Sequence, residues 1–393
     1  MAKLIVLFIT AFVDMVGFAL VLPLLPYYAK EYGATALLVG VLVSAFSLAQ
    51  LAVAPLWGRA SDRYGRRPMI IAGLVLSAAA YAVFAFAGSV WLLLLSRVVQ
   101  GMGGGTIGVV QAYVADATPP DQRTKSLGWL SAVTSFGAVV GPAFGSMLDQ
   151  AGGQRAPGLA AAALAALIAL FAWRFLRESK EMRAPGAVRG PARTPGAVAL
   201  RRVVSHPREP ASRLIWIYAI AIGAFYGTGP TMPLLLSARL GVTEHTIGYF
   251  FMYFGMMGVI ARAGLLGWAL VRLGEARLSR LGIALLAAGL GLLSLAHSYP
   301  VLIASMTLMP LGTAFLFPCV TGRLSTVVPG ADRGLYMGVQ QTFGGVSRVA
   351  FPVAAGYAMD RFGYGTPFLG AAVMVLVTLP MTGVMNVRGE GER

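Results

Sequence analysis

The stretch Gly58–Arg67 reads GRASDRYGRR and forms a short charged break between two long apolar runs, residues 37–57 and 68–87. Each run has about the 20 residues that an α-helix needs to cross a bilayer. The glycines of the break permit a tight turn between two helices. The stretch therefore predicts two neighbouring membrane-spanning helices joined by a basic loop.

Apolar runs separated by short polar breaks continue along all 393 residues. Hydrophobic residues make up 57% of the chain and charged residues only 12%, against ~25% charged in a soluble domain. The runs do not alternate as β-barrel strands do. They predict an all-α membrane protein with twelve transmembrane helices at 3–29, 37–57, 68–87, 91–114, 126–148, 157–176, 213–236, 246–270, 278–296, 301–324, 335–358 and 367–387.

The charge distribution predicts the orientation in the membrane. The net charge is +16, and most Lys and Arg residues fall on one side of the predicted spans. The exceptions outside the spans are Lys30, Arg155, Arg239 and Arg361. Basic loops stay in the cytoplasm, so we predict a multi-pass protein of the inner (cytoplasmic) membrane with both termini cytoplasmic. The basic residues favour the lipid bilayer rather than nucleic acid as partner, and we expect a monomer.

A proline- and arginine-rich segment, 177–212, separates an N-terminal bundle, 1–176, from a C-terminal bundle, 213–393, each with six predicted helices. We interpret the segment as a flexible cytoplasmic linker, with contact to anionic lipid as the alternative. The bundles are related by a weak repeat, which predicts pseudo-two-fold symmetry and a site near the membrane midplane. Matching residues lie 208 to 210 positions apart, as in Gly33 and Gly241, Gly65 and Gly274, and Pro142 and Pro352.

Two charged residues inside apolar runs are candidates for proton coupling. Asp14 lies near the middle of the first run, where a carboxylate costs several kcal/mol unless it pairs with a cation, faces water or takes up a proton. Arg97 lies in the fourth run. It either lines a polar cavity or extends its long side chain to the end of the helix.

Further polar and aromatic residues in the runs are candidates for lining a cavity. Aromatic rings can stack on a flat or cationic compound, and buried amides and guanidinium groups need partners. The candidates are Phe18, Gln100, Gln111, Tyr226, Phe254, Gln340, Gln341 and Arg348.

Three motifs carry a resemblance to a known family. The first is the G-x-x-x-D-x-x-G-R-R pattern of Gly58, Asp62, Arg63, Gly65, Arg66 and Arg67, which resembles the signature loop of the major facilitator superfamily. The second, Leu93-x-x-x-Arg97-x-x-Gln100-Gly101, is similar to the Arg-containing motif of the same family. The third resembles the antiporter motif of its drug/proton exporters and comprises Gly137, Gly141, Pro142 and Gly145. The first span, with Asp14, looks most like that of the twelve-span tetracycline exporters.

The resemblance implies the major facilitator fold and a secondary active transporter. It implies proton-coupled multidrug efflux by alternating access, hence antibiotic resistance, with the signature loop gating the conformational change. The substrate would be a small amphipathic compound, and the proton gradient would supply the energy without a cofactor. The alternatives are a proton-coupled importer of a nutrient such as a sugar or organic acid, and a non-transporting receptor or scaffold.

Several function classes have no support in the sequence. Cys319 is the single cysteine, so no intrachain disulfide can form. The histidines His206, His245 and His297 are far apart and show no metal-ligand spacing, so we predict no metal site. No phosphate-binding loop or catalytic set occurs, and we therefore predict that the chain is not an enzyme.

Overall fold

The computed structural model describes residues 2–119, 122–176, 178, 196–330 and 332–386. Within these ranges the regular secondary structure is helical and includes no β-strand, which confirms the predicted all-α fold class. The chain divides into two compact units, Met1–Ala187 with Val242–Gly255, and Val188–Gly241 with Met256–Arg393.

The described part of the first unit contains eight helices that follow one another along the chain, together with the beginning of a later helix. It contains α1 (Ala2–Val21), α2 (Leu25–Glu31), α3 (Ala36–Tyr64), α4 (Arg66–Ala85), α5 (Val90–Gly104), α6 (Ile107–Ala117), α7 (Arg123–Gly152), α8 (Arg155–Phe175) and the first turns of α12 (Glu244–Ile260).

The described part of the second unit contains the remaining helices. They are α9 (Gly196–Ser205), α10 (Pro210–Thr228), α11 (Met232–Leu240), the end of α12, a π-helix (Ala261–Leu265), α13 (Leu266–Ser294), α14 (Tyr299–Val327), α15 (Arg333–Phe362), α16 (Thr366–Val377) and a 3₁₀-helix (Leu379–Asn386).

Positive backbone φ angles occur only at glycines among the described residues, and these glycines form three pairs. A positive φ is strained for any residue with a side chain. Each pair falls at the spacing of the sequence repeat, so corresponding turns recur in the two halves of the chain. The pairs are Gly33 (+76°) with Gly241 (+64°), Gly65 (+107°) with Gly274 (+71°), and Gly153 (+66°) with Gly363 (+98°).

Helix α7 packs closely on α1 through the glycines of the predicted antiporter motif. A Cβ atom at Gly141 would lie 2.7 Å from the Ala19 Cβ and 2.9 Å from the Val16 carbonyl oxygen. A Cβ atom at Gly145 would overlap the Leu20 carbonyl oxygen. Small residues at i, i+4 and i+8 let two helix backbones approach, and here they set the position of α1.

Each unit has its own buried apolar cluster. In the first unit, α1, α4, α6, α7 and α8 contribute, and the largest members include Leu7, Ile70, Leu74 and Tyr113. In the second unit, α13 and α14 contribute Leu278, Ala314, Phe315 and Cys319. Gly282 and Gly312 allow α13 and α14 to approach, because a Cβ at either would lie within 3 Å of the opposite backbone.

Nine of the described helical segments are long and apolar enough to cross a membrane, or ten if the bent pair Pro210–Thr228 and Met232–Leu240 is one span. One of these segments, Glu244–Ser294, contains two of the predicted spans and is interrupted by the π-helix and by Gly274. The predicted span 335–358 lies within α15, a continuous helix of 30 residues. The count of twelve crossings stays a prediction.

The predicted flexible linker differs in part from the structure. Residues 177 and 179–195 lie outside the described residues. The following Gly196–Ser205 forms helix α9, in which Ala199 and Val203 are buried. The Trp216 indole donates a hydrogen bond to the Val203 carbonyl at 3.2 Å, so α9 is attached to α10 rather than free.

The contact between α7 and α1 can be tested with two alanine substitutions in the same helix. Gly145→Ala should destabilise the protein by about 1–3 kcal/mol, because the added methyl group forces two backbones apart. Gly128→Ala is the control, since nothing lies within 4 Å of its Cβ position. Thermal unfolding in detergent should show a lower midpoint for the first variant only; equal midpoints would contradict the packing argument.

Candidate functional site

Asp14 lies on α1 in the part of the helix that packs against α7. Its side chain is half-buried, and among the described residues no Lys, Arg or His forms an ion pair with it. One turn further along α1, a Cβ atom added at Gly17 would lie 3.5 Å from the Tyr81 ring, so the backbone of α1 is close to Tyr81 here. Asp14 therefore lies in an apolar helix, near a tyrosine of α4, and has no ion-pair partner in the part of the chain that the structure describes.

Arg97 is a buried cation of α5 with only 1% of its surface exposed. It does not reach solvent at the helix end, which was one of the two expectations for this residue. Its guanidinium carbon lies 5.5 Å from the centre of the Phe84 ring. Among the described residues, its Nε and Nη2 atoms have no hydrogen-bond partner by geometry, and neither do the two amide atoms of buried Gln100 one turn away. Buried polar atoms without a partner are costly, and a functional role is one of the explanations for them.

Tyr81 connects these two predicted residues. It is buried, it lies within electrostatic reach of both Asp14 and Arg97, and its hydroxyl is beside the Gln100 side chain. Nothing in the sequence distinguishes Tyr81, because a single tyrosine in an apolar helix has no characteristic spacing. Helices α1, α4 and α5 thus bring several polar groups near Tyr81 within an apolar bundle.

The helix that carries Arg97 belongs to one candidate membrane span, Val90–Ala117, which contains the predicted span 91–114 and has a short internal break. The fourth predicted span, 91–114, is divided into α5 and α6 at Gly105 and Thr106. Carbonyl groups at the end of α5 accept hydrogen bonds from α3: Trp57 donates to Met102 at 2.6 Å, and Gln50 donates to Gly104 at 3.1 Å. In a continuous helix these carbonyls would accept hydrogen bonds from backbone amides of the next turn. At the break, the Trp57 and Gln50 side chains are the donors instead.

The remaining cavity candidates are distributed over both units. In the first unit, the Phe18 ring lies 5.2 Å from the Phe46 ring, Gln111 is exposed on α6, and Phe254 is half-buried on α12. In the second unit, the Arg348 guanidinium lies 5.7 Å from the centre of the half-exposed Tyr226 ring.

The two neighbouring amides of α15 differ from each other. Gln341 donates a hydrogen bond to the Tyr218 hydroxyl at 3.4 Å. Gln340 is fully buried and accepts one from Thr321 at 3.4 Å, while its Nε2 atom has no partner. Tyr218 is a second tyrosine that the sequence analysis did not select.

The signature loop is organised around the Arg66 side chain. Its Nη1 lies 2.8 Å from Asp62 and 2.5 Å from the Ser61 hydroxyl, and its Nε lies 3.2 Å from Asp116 at the end of α6. The Arg66 side chain is only 12% exposed, so both carboxylates meet a largely desolvated guanidinium. Asp62 is therefore paired with the guanidinium of the residue four positions further along the chain.

The rest of the loop contacts the segment after α8. The Arg66 amide donates to the Glu178 carboxylate at 3.0 Å, and a Cβ atom at Gly65 would overlap that carboxylate. Arg67 donates to the Trp173 carbonyl. Arg63 is exposed and stacks on the Tyr64 ring. The loop thus joins α3, α4, α6 and the end of α8, and the sequence did not identify Glu178 as a partner.

Comparison with known proteins agrees with this fold and these motifs. A family model described as Major Facilitator Superfamily matches residues 7–278 and 214–388. The chain is 27% identical to Multidrug resistance protein 1 of Bacillus subtilis, over 96% of this chain and 94% of that protein. It is 30% identical to the class C tetracycline resistance protein of Escherichia coli, over 96% and 95%.

A solved structure extends the comparison to three dimensions. The crystal structure of the human organic anion transporter MFSD10 (TETRAN) superposes with a TM-score of 0.69 at 25% identity, covering 97% of this chain and 99% of that one.

The Arg66 network can be tested by comparing two neighbouring arginines. Arg66→Gln leaves the carboxylates of Asp62 and Asp116 without their shared cation, and we expect a loss of about 1–3 kcal/mol in stability. Arg63→Gln removes an exposed cation and should cost less than about 0.5 kcal/mol. Thermal unfolding in detergent measures both. Equal effects of the two substitutions would show that Arg66 is not the organising residue.

Proposed function

Because this chain belongs to the Major Facilitator Superfamily, we propose that it is a proton-coupled exporter of small amphipathic compounds, drugs included. The observation that carries the proposal is Asp14, a half-buried carboxylate without an ion-pair partner among the described residues, in a helix that the α7 glycines hold in place. The relatives are named multidrug and tetracycline resistance proteins, and this supports export rather than nutrient uptake.

In this proposal Asp14 is the proton acceptor. A carboxyl group inside a bilayer is far more stable when it is protonated, and therefore neutral, or when it faces water. When water from outside reaches Asp14, it takes up a proton and its charge is lost. When the site opens to the cytoplasm, the proton leaves and the charged form returns. Tyr81, Gln100 and Arg97 supply polar groups beside this route.

The substrate would bind the charged form and the protonated form of the site with different affinities. This difference would couple the movement of the substrate to that of the proton. A ligand shifts a conformational equilibrium only by its differential affinity for the two states. Within the first unit, the rings of Phe18 and Phe46 would provide surface for a flat apolar compound, and the Gln100 amide and the Arg97 guanidinium would provide hydrogen bonds. Alternating access by two related halves would expose this site to each side of the membrane in turn.

The proposal places the protein in the inner membrane as a monomer with both termini in the cytoplasm. The signature loop would then face the cytoplasm. There the Arg66 network would stabilise one of the two access states, because its ion pairs join three helices of one unit. Breaking the network would change the balance between the states.

A drug-susceptibility panel tests the proposed export. The chain is expressed in a bacterial strain that lacks its own exporters, and we expect raised tolerance to at least one amphipathic antibiotic. Asp14→Asn should lower tolerance to that of the empty vector, because the amide cannot take up and release a proton at neutral pH. Asp14→Glu keeps a titratable group and should retain part of the tolerance. If Asp14→Asn confers full tolerance at normal expression, another residue carries the proton. If labelled substrate accumulates in cells instead, the protein is an importer.

The gating role of the signature loop has its own test. Asp62→Ala removes one carboxylate from Arg66 while leaving Asp14 and its surroundings intact. In proteoliposomes with an imposed proton gradient, we expect slower transport with substrate affinity kept within about threefold, since conformational exchange rather than binding is affected. If the variant transports as fast as the wild type, the loop has no gating role and serves only to set the orientation of the protein in the membrane.

A further inference from the structure

A second cluster of ionisable side chains lies in the first unit, at the end away from the signature loop. Helix α7 runs from Arg123 near that loop to Gly152, and Asp149 is in its last turn. Asp149 faces Glu244 and His245 in the first turn of α12, and one ligand atom from each of the three residues lies within 4.8 Å of the others. Spacing along the chain predicted no metal site, because His245 and Asp149 are far apart in sequence.

Asp149 is the buried member of this cluster, with only 3% of its surface exposed. Its Oδ1 atom accepts a hydrogen bond of 2.5 Å from the Tyr28 hydroxyl of α2. Its Oδ2 atom lies 2.9 Å from the His245 Nδ1 atom, which is an ion-pair contact when the imidazole is protonated, and among the described residues it accepts no hydrogen bond of good geometry. One oxygen is therefore oriented by Tyr28, and the other faces His245 within the cluster.

This arrangement is typical of ligands that share a cation. Two atoms bound tetrahedrally to one metal ion at about 2.1 Å are about 3.4 Å apart, so the His245 Nδ1 and Asp149 Oδ2 atoms, now 2.9 Å apart, need to separate only slightly to share an ion. A carboxylate whose second oxygen is held by a tyrosine has the outer hydrogen bond that commonly orients metal ligands. The charge also fits, because Glu31 of α2 places a further carboxylate within electrostatic reach of Asp149 and Glu244.

The backbone around the cluster is held in place without any ion. The Ser146 hydroxyl donates to the Glu244 carbonyl at 2.6 Å and accepts from the Gly248 amide at 2.9 Å. A Cβ atom at Gly248 would overlap the Pro142 carbonyl oxygen, so α12 is pressed against α7 at this point. The three ligand side chains thus project from two helices whose separation is already set.

We propose that Asp149, Glu244 and His245 bind a divalent transition-metal ion of the Zn²⁺ type. An imidazole with carboxylates suits such ions, whereas Mg²⁺ and Ca²⁺ prefer sites made of oxygen alone. His245 is about half exposed, so an ion can enter from solvent. The bound ion would bridge α7 to the first turn of α12. The proposal concerns binding and does not depend on the substrate or the direction of transport.

Isothermal titration of the full chain in detergent, purified without a polyhistidine tag, tests the site with Zn²⁺ alone. We expect about one Zn²⁺ per chain, and His245→Gln should weaken its binding at least tenfold, which is the loss typical for removing a ligand or its support. His297→Gln is the matched control, because His297 is exposed and contacts only the nearby Leu295 carbonyl among the described residues. It should bind Zn²⁺ as the wild type does.

Two further measurements complete the test. Glu244→Gln keeps the size of the side chain and should also weaken Zn²⁺ binding, and Mg²⁺ at the same concentration should give no comparable heat. Zn²⁺ should raise the melting temperature of the wild type and of His297→Gln but not of His245→Gln, since ligand binding to the folded state stabilises it. The proposal is overturned if the wild type binds no Zn²⁺, or if His245→Gln binds it as tightly as the wild type.

Discussion

The close approach of α7 to α1 is the contact that fixes the geometry of the first unit. A carboxylate in the middle of an apolar helix is tolerable only where its surroundings are controlled, because lipid offers it no partner. Gly137, Gly141 and Gly145 remove the side chains that would otherwise keep the two helices apart. Asp14 is consequently carried on a helix with little freedom to shift or turn. The same helix presents Gly17 to Tyr81, which aligns the polar groups of α4 and α5 with Asp14.

Much of this fold follows from local sequence patterns. Apolar runs separated by short polar breaks are sufficient to predict an all-helical membrane protein, and the spacing of Gly58, Asp62 and Gly65 is sufficient to place a tight turn. The glycines of α7 were also recognisable, since their spacing puts them on one face of a helix. Each of these features depends on residues within about two helical turns of one another.

The partners of the functional residues could not be predicted in the same way. Arg66 contacts Asp116, and its amide contacts Glu178, across distances in the chain that no periodicity records. Tyr81 has no feature in the sequence that sets it apart from other tyrosines in apolar runs. Beside the break between α5 and α6, Trp57 and Gln50 of another helix donate hydrogen bonds to carbonyl groups of α5. Contacts of this kind between separate helices are visible only in the folded chain.

The beginning of α12 belongs to the second repeat by sequence, yet Val242–Gly255 packs with the first unit. The border between the repeats and the border between the compact units are therefore in different places. A chain severed between residues 179 and 195 would not yield two self-sufficient pieces. In the amino-terminal fragment, Ser146, Tyr27 and Asp149 would lose their contacts with Glu244, Val242 and His245, which are encoded downstream of the cut. Recombining halves from related proteins would meet the same obstacle, so crossover points are better placed after Gly255 or accompanied by an exchange of that short stretch.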